Sequence, residues 1–286
     1  KTLYLVSTKS GRTLETLSFL KFFYNLVQKK IGEKAGRQFI AITDPGSPLV
    51  RWGEQYGFRK VFLSPPDIGG RYSAFSFFGL VPAALLGIDL SLLLEKATVA
   101  SQKCSPSTLL KDNEGAILGT ALGILAQKGR DKLTFFFSSP RWESFGDWLE
   151  QLIAESTGKE GKGILPVIDK QPGKAAVYEE DRLFVYIERG KNGSIDNLLE
   201  ELVNAGHPVI KIPITDDYDL GEQMFIWEFA TALAGYWLKI NPFDQPDVES
   251  TKKFTQEMMR RYKEGSFEEE KPILVEKGFN VFCDFS

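Results

Sequence analysis

Several stretches of the chain carry residue types that could do chemistry. The first is Ser7-Thr8-Lys9-Ser10-Gly11-Arg12-Thr13, between a short apolar run and an amphipathic one. Hydroxyls donate hydrogen bonds without adding charge, Lys9 supplies charge, and a helix starting just beyond adds unpaired N–H groups. Together they make a phosphate cradle. The spacing is not that of the nucleotide P-loop. An ordinary serine/threonine helix cap would account for the same residues. The second stretch is Pro65-Pro66-Asp67-Ile68-Gly69-Gly70-Arg71-Tyr72-Ser73. It follows Val61 to Leu63, which reads as a buried strand, and precedes Phe75 to Leu86, which reads as a helix packed on several sides. The prolines stiffen the approach, and Gly69 and Gly70 allow a tight fold or close approach to a ligand. Arg71 offers a fixed cation and a fork of donors to an anionic or polyhydroxylated substrate. The alternative is a structural turn with a surface arginine.

The third stretch is Ala154-Glu155-Ser156-Thr157-Gly158-Lys159. It ends a helix with an apolar stripe from Phe145 to Ile153. Glu155 falls at or just past the helix end, where it lacks the favourable dipole contact of a helix start. Burial would raise its pKa toward the range of a general base. Taken alone, a solvated terminal glutamate is the simpler account. The fourth runs from Asn241 through Gln245 to Lys252 and Lys253. Pro242 and Pro246 stiffen it, and Asp247 or a neighbour starts the helix bearing the lysines. Such a lysine can be aimed inward, although taken alone a solvated charge run is the simpler account.

Composition narrows the classes. The chain has 286 residues, 43% of them hydrophobic, enough for two domains or one large one. A net charge of -3 gives no general case for nucleic acid or acidic-membrane binding. The two cysteines, Cys104 and Cys283, form neither a ligand cluster nor a disulfide framework, which suits a reducing compartment. The single histidine, His207, argues against a catalytic zinc or a serine–histidine triad. It precedes a strand, where it could cap a helix end, sit on the surface or reach a substrate. No signal peptide or bilayer-spanning run is evident. Thr2 to Val6 already reads as a core strand directly after Lys1, which predicts a fragment whose upstream residues are missing.

The elements that must position these stretches alternate strand, loop and helix. Strands are expected at Leu3 to Val6, Phe39 to Ile42, Phe58 to Leu63, Leu133 to Phe137, Gly161 to Val167, Leu183 to Ile187 and Pro208 to Ile212. Helices lie between them, so parallel sheets sandwiched by helices follow. Residues 82–126 read as a helical connector whose small residues imply close helix packing. A fresh βα series then begins, which divides the chain into domains at 1–128 and 129–286. Gly221 to Leu238 is apolar nearly all round, so it is central or at a subunit interface. Asp216 to Asp219 is an acidic turn without calcium-loop spacing. Pro272 to Val275 and Asn280 to Phe282 are candidates for a small ribbon.

The four stretches occur in this order in one family. The chain resembles glucose-6-phosphate isomerase, in the form found in bifunctional transaldolase–isomerase fusions. The resemblance covers most of the chain and rests on residues 7–16, 69–73, 154–159 and 241–252. It implies an α/β fold of two flavodoxin-like three-layer α/β/α sugar-isomerase domains with mainly parallel sheets, the first incomplete. It implies interconversion of glucose 6-phosphate and fructose 6-phosphate without cofactor or metal. By similarity, Thr8, Lys9, Ser10 and Thr13 hold the phosphate, and Gly70 and Gln245 bind substrate. Arg71 steadies the cis-enediol(ate), Glu155 moves a proton between C2 and C1, and Lys252 assists ring opening. A phosphorylated hexose is the implied substrate. A cytoplasmic homodimer with a fused or associated transaldolase domain is the implied setting, with no nucleic acid or membrane partner.

The chain departs from the family pattern in three places. Arg12 stands where the phosphate loop usually has threonine. The Gln-His segment that carries the ring-opening histidine has no counterpart. The glycine-rich segment expected before Lys1 is absent. Three alternatives remain beside the isomerase: a non-catalytic sugar-phosphate binder, an isomerase also active on phosphomannose, and an inactive fragment of a larger enzyme.

Overall fold

The structure is a computed structural model that describes residues 2–190, 193–244, 246–266 and 271–283. The chain falls into two compact units, residues 1–244 and 245–286. In the first unit, β1 (Tyr4–Ser7), β2 (Phe39–Thr43) and β3 (Lys60–Leu63) form a parallel sheet in that order. The crossovers are α1 (Leu14–Ile31) and α2 (Pro48–Gln55). Phe-Ile-Ala-Ile-Thr is buried along its whole length because β2 has a strand on either side.

Two expectations about burial fail. Strand β3 is an edge strand, exposed at Lys60 and Leu63 and half-buried between them. Beyond it, α3 (Phe77–Leu85) contains no buried residue, and Phe77 and Leu85 are 41% and 51% exposed. Apolar composition reports what a segment would gain by burial. It does not report which neighbours the fold supplies.

The second sheet holds β4 (Lys132–Phe137), β5 (Leu165–Ile168), β6 (Arg182–Arg189) and β7 (Val209–Ile214), all parallel in the order β5-β4-β6-β7. The crossover through α6 (Glu143–Thr157) runs one way from β4, and that through α7 (Gly193–Asn204) runs the other way from β6. This reversal is the doubly wound pattern of flavodoxin-like domains. Phe136, Phe184 and Tyr186 pack with Leu199 and Leu202 of α7 on one face. Phe135, Leu149 and Trp227 lie in the larger core on the other.

The connector forms α4 (Leu90–Lys103) and α5 (Glu114–Gln127), and both pack on α8 (Asp219–Leu238), which also meets α6. Helix α8 is central, as its apolar circumference requires: Trp227, Ala230 and Ala234 are fully buried. The acidic turn before it is structural. Asp219 accepts from Thr215 N, Thr215 Oγ1, Asp216 N and Lys96 Nζ. Glycines let α5 approach: a Cβ on Gly119 would stand 2.6 Å from the Ala230 carbonyl oxygen.

The second unit contains α9 (Pro246–Lys263) and an antiparallel ribbon of β8 (Leu274–Glu276) and β9 (Phe279–Val281). The ribbon follows the two extended segments expected from sequence. Among the described residues, no helix is long and apolar enough to cross a membrane.

Replacing Gly119 with alanine forces a backbone shift between α5 and α8. We expect Gly119→Ala to lower stability by about 1–3 kcal/mol, read as an earlier denaturant midpoint with an unchanged slope.

Candidate functional site

The loop after β1 is pinned to the end of β2. Thr8 N donates to the Ile42 carbonyl, Asp44 N to the Lys9 carbonyl, and Thr43 Oγ1 to the same Lys9 carbonyl at 3.1 Å. Thr8 and Thr13 share a hydroxyl–hydroxyl hydrogen bond of 2.9 Å, and Thr43 and Ser47 a buried one of 2.6 Å. Gly11 has φ 63°, and a Cβ there would lie 3.0 Å from Ser47 Cβ and Oγ, so both conformation and space demand glycine. Ser10 is exposed, and its Oγ accepts from Arg12 N. Thr13 is the N-cap residue of α1, yet its side chain makes no cap hydrogen bond. The ordinary hydroxyl cap therefore does not describe this loop. The first N–H groups of α1 have no intrahelical acceptor and no hydroxyl from Thr13, which suits an anion.

Lys9 is held by Asp44, which lies outside the four stretches singled out in the sequence. Its Nζ lies 3.0 Å from Asp44 Oδ2 and 3.1 Å from Asp44 Oδ1, and donates to the Pro66 carbonyl at 3.2 Å. Asp44 sits at the carboxyl end of β2, beside the loop it serves. Arg12 is exposed.

The Pro66 carbonyl belongs to the loop that also carries Arg71. Neither Gly69 nor Gly70 has a positive φ, and a Cβ on Gly70 would meet nothing within 4 Å. The tight turn expected of these glycines is thus not what requires Gly70; it leaves open space on an exposed rim. Residues Gly70–Tyr72 form a short 3-10 turn that directs Arg71 inward, where its side chain is only 4% exposed. Arg71 Nη1 donates to Ser156 Oγ at 2.6 Å and to the Pro242 carbonyl at 2.9 Å. Nη2 donates to the Asp244 carbonyl at 2.9 Å and reaches the Phe243 carbonyl at 3.5 Å. Nε lies 3.7 Å from Glu155 Oε2. The surface-arginine alternative is excluded.

Glu155 occupies the last turn of α6 and its side chain is 39% exposed, closer to the solvated terminal glutamate than to a buried base. The neighbouring Ser156 and Thr157 are buried, because successive helical positions turn about 100° away from one another. Gln151, one turn earlier, donates from Nε2 to Glu155 Oε1 at 3.1 Å. The i,i+4 spacing was the available signal for that partner. Tyr72 donates to Ser156 Oγ at 3.3 Å and packs its ring 5.0 Å from that of Phe243. The end of α6, the Arg71 turn and residues 241–244 therefore meet around one guanidinium. Pro66 and Arg71 are five residues apart, so the Lys9 contact and the Glu155 contact lie on a strap no longer than about 18 Å.

Gln245 lies outside the described residues. Lys252 falls within α9, and its side chain is likewise outside them. His207 is buried, not on the surface; its ring stands edge-on to Phe184 at 5.2 Å. It lies before the amino end of β7, opposite the carboxyl ends where the loops gather. Burial lowers its pKa below the ordinary histidine value. Its backbone N–H, not its ring, closes the end of α7 by donating to the Leu202 carbonyl.

Glu228 of α8 went unnoticed in the sequence. Burial pushes its pKa up to about 7, against a weaker lowering by the Ala74 backbone hydrogen bond. Its Oε1 is buried without a hydrogen-bond partner. It lies close enough to Tyr72 to raise the phenol's pKa, adding to the larger effect of burial.

Comparison with known proteins follows the same outline. No protein-family model matches the chain. The glucose-6-phosphate isomerase of Staphylococcus saprophyticus is 30% identical over 311 residues, covering 95% of this chain and 69% of that protein. The glucose-6-phosphate isomerase of Enterococcus faecalis is 29% identical over 290 residues, covering 87% and 64%. The chain thus spans about two thirds of the length of these relatives. A hypothetical protein from Thermus thermophilus superposes with a TM-score of 0.81 at 26% identity, over 91% of this chain and 72% of that one. A glucose-6-phosphate isomerase from Chlamydia trachomatis shares the fold, with a TM-score of 0.72 at 20% identity over 92% of this chain and 60% of that one.

The pH dependence of stability tests the buried carboxyl. Glu228 holds its proton to about pH 7 in the folded chain and, unfolded, loses it near the ordinary value of 4.5. Its contribution therefore falls as pH rises from the lower value through the higher. Glu228→Gln should raise stability by on the order of 2–3 kcal/mol at about pH 8 and leave it unchanged near pH 4, measured by denaturant titration at each pH.

Proposed function

The chain belongs to the glucose-6-phosphate isomerase family, and from that membership and the site geometry we propose that it interconverts D-glucose 6-phosphate and D-fructose 6-phosphate through a cis-enediol(ate). The observation that carries the reading is the Glu155 carboxylate, 3.7 Å from the buried Arg71, at the end of a strap whose other end touches Lys9. The phosphate binds at the start of α1 through Thr8, Lys9, Ser10 and Thr13. Binding the unreactive end of the substrate lets its energy serve orientation of the other end. Gly70 lets the sugar approach the backbone.

Glu155 takes the proton from C2 of the open-chain aldose and returns it to C1, and the reverse path uses the same group. Removing a proton beside a carbonyl is slow unless the oxyanion that forms is stabilised. Arg71 does this as a fixed positive centre. Its terminal nitrogens are engaged by the protein, so Nε is the edge that faces the reaction. Asp44 tempers Lys9, so the hydroxyls and helix N–H groups share the work of holding the phosphate. Gln245 as a substrate ligand and Lys252 as the ring-opening aid rest on the resemblance alone.

A cytoplasmic homodimer, a fused or associated transaldolase domain, and domains divided at 128/129 belong to the same proposal. One observation favours a second reading, a non-catalytic sugar-phosphate binder: the expected base is 39% exposed.

A coupled assay with fructose 6-phosphate separates the two readings. We expect turnover by the purified chain, a loss of about 100- to 10,000-fold in kcat for Glu155→Gln, and little change in its KM. Lys9→Ala should instead raise KM. Full turnover by Glu155→Gln, in a preparation free of host isomerase, would remove Glu155 from the mechanism.

A further inference from the structure

Lys159 has no role in the chemistry described above, yet it is one of the most completely engaged cations in the chain. Its side chain is 4% exposed. The Nζ atom donates to the Asn241 carbonyl, the Asp244 carbonyl and Asp244 Oδ1, each at 2.7 Å. An ammonium group has three N–H donors, and all three are used.

These acceptors are the seat of Arg71. The Asp244 carbonyl accepts from Lys159 Nζ at 2.7 Å and from Arg71 Nη2 at 2.9 Å. The Pro242 carbonyl, which accepts from Arg71 Nη1, lies between two residues that Lys159 holds. Two buried cations thus grip one four-residue turn. Their charges are offset by the carbonyl dipoles, by Asp244 and, beside Arg71, by Glu155. Lys159 also follows Glu155 by four residues, past the helix stop at Gly158, so it ties the base-bearing end of α6 to the turn that holds the arginine.

We propose that Lys159 is a positioning residue for the isomerisation: it fixes residues 241–244 as the platform on which the Arg71 guanidinium is oriented toward Glu155. The inference rests on the isomerase reading for its kinetic consequence and on geometry alone for its structural one. A flexible lysine stem can place one strong donor against three acceptors only where they already converge. Removing it leaves the Asn241 and Asp244 carbonyls without their shared donor, and the turn loses one of its two cationic anchors. Arg71 then keeps its charge but loses a defined direction. A misplacement of about 1 Å at a reacting centre costs about 100-fold in rate.

The experiment compares Lys159→Met, Lys159→Arg and Asp244→Ala with the parent chain. Isomerase kinetics are measured with fructose 6-phosphate, and amide hydrogen exchange is followed in the peptide covering 241–244. For Lys159→Met we expect kcat to fall about 100-fold with KM within about threefold, and exchange in that peptide to quicken. Lys159→Arg should recover part of kcat. Asp244→Ala, which removes one of the three acceptors, should show the same split more weakly; it carries the test if Lys159→Met does not fold.

A folded Lys159→Met with parental kcat overturns the proposal. So does a rise in KM with kcat unchanged, or parental kcat in Asp244→Ala when Lys159→Met cannot be obtained. If the parent chain shows no interconversion, the isomerase reading fails instead. Exchange then decides the structural half on its own, with unchanged protection of 241–244 counting against the platform.

Discussion

A guanidinium taken out of water must be surrounded by acceptors, and the burial of Arg71 imposes that condition on three distant parts of the chain. Its partners come from residue 156 at the end of α6 and from residues 242–244 beyond α8, while Glu155 faces its remaining nitrogen. An unpaired buried charge costs several kcal/mol, so these segments are held together by the cost of separating them. The side chain that gathers the site is also the one assigned to stabilise charge in it. The fork expected to greet a substrate is instead spent on the protein, which makes the arginine a rigid electrostatic fixture. Preorganised charge of this kind needs no reorientation as the oxyanion develops.

The phosphate end follows a different logic. Thr8, Thr13, Thr43 and Ser47 link their hydroxyls in pairs at the ends of β1 and β2, and Asp44 balances Lys9. Polar groups without net charge can be packed closely where the sheet ends, and the helix start adds donors at no desolvation cost for a full charge. The two ends are joined by the loop after β3, with Pro66 at one contact and Arg71 at the other. An edge strand carrying such a strap is less surprising than its apolar sequence suggested. The strand need only deliver the loop.

Each strand of the two parallel sheets was legible, since buried parallel strands are short apolar runs between turn formers. So was the central place of α8, whose apolar residues nearly encircle it. The exposure of α3 and of the β3 edge was not, because the hydrophobicity of a segment does not specify its neighbours. At the site, the motif residues themselves could be named, but their surroundings could not. Glu155 stays partly open because the local helix phase sends Ser156 and Thr157, not Glu155, into the core. Asp44 and Glu228 went unnoticed, and Lys159 was named within its motif without a role, for a common reason. Each acts through a partner 35 or more residues away in sequence, or through burial, and no local spacing signals either. His207 drew notice as the chain's single histidine, yet the fold places it in the core beside Phe184.

Isomerisation in deuterium oxide tests the central claim most directly. If a carboxylate at position 155 carries the proton between C2 and C1, deuterium will enter C2 of glucose 6-phosphate and C1 of fructose 6-phosphate over repeated turnovers, as followed by proton NMR. Interconversion of the two sugars with both positions remaining fully protiated would contradict proton transfer through an exchangeable carboxyl group, and with it the account of this site.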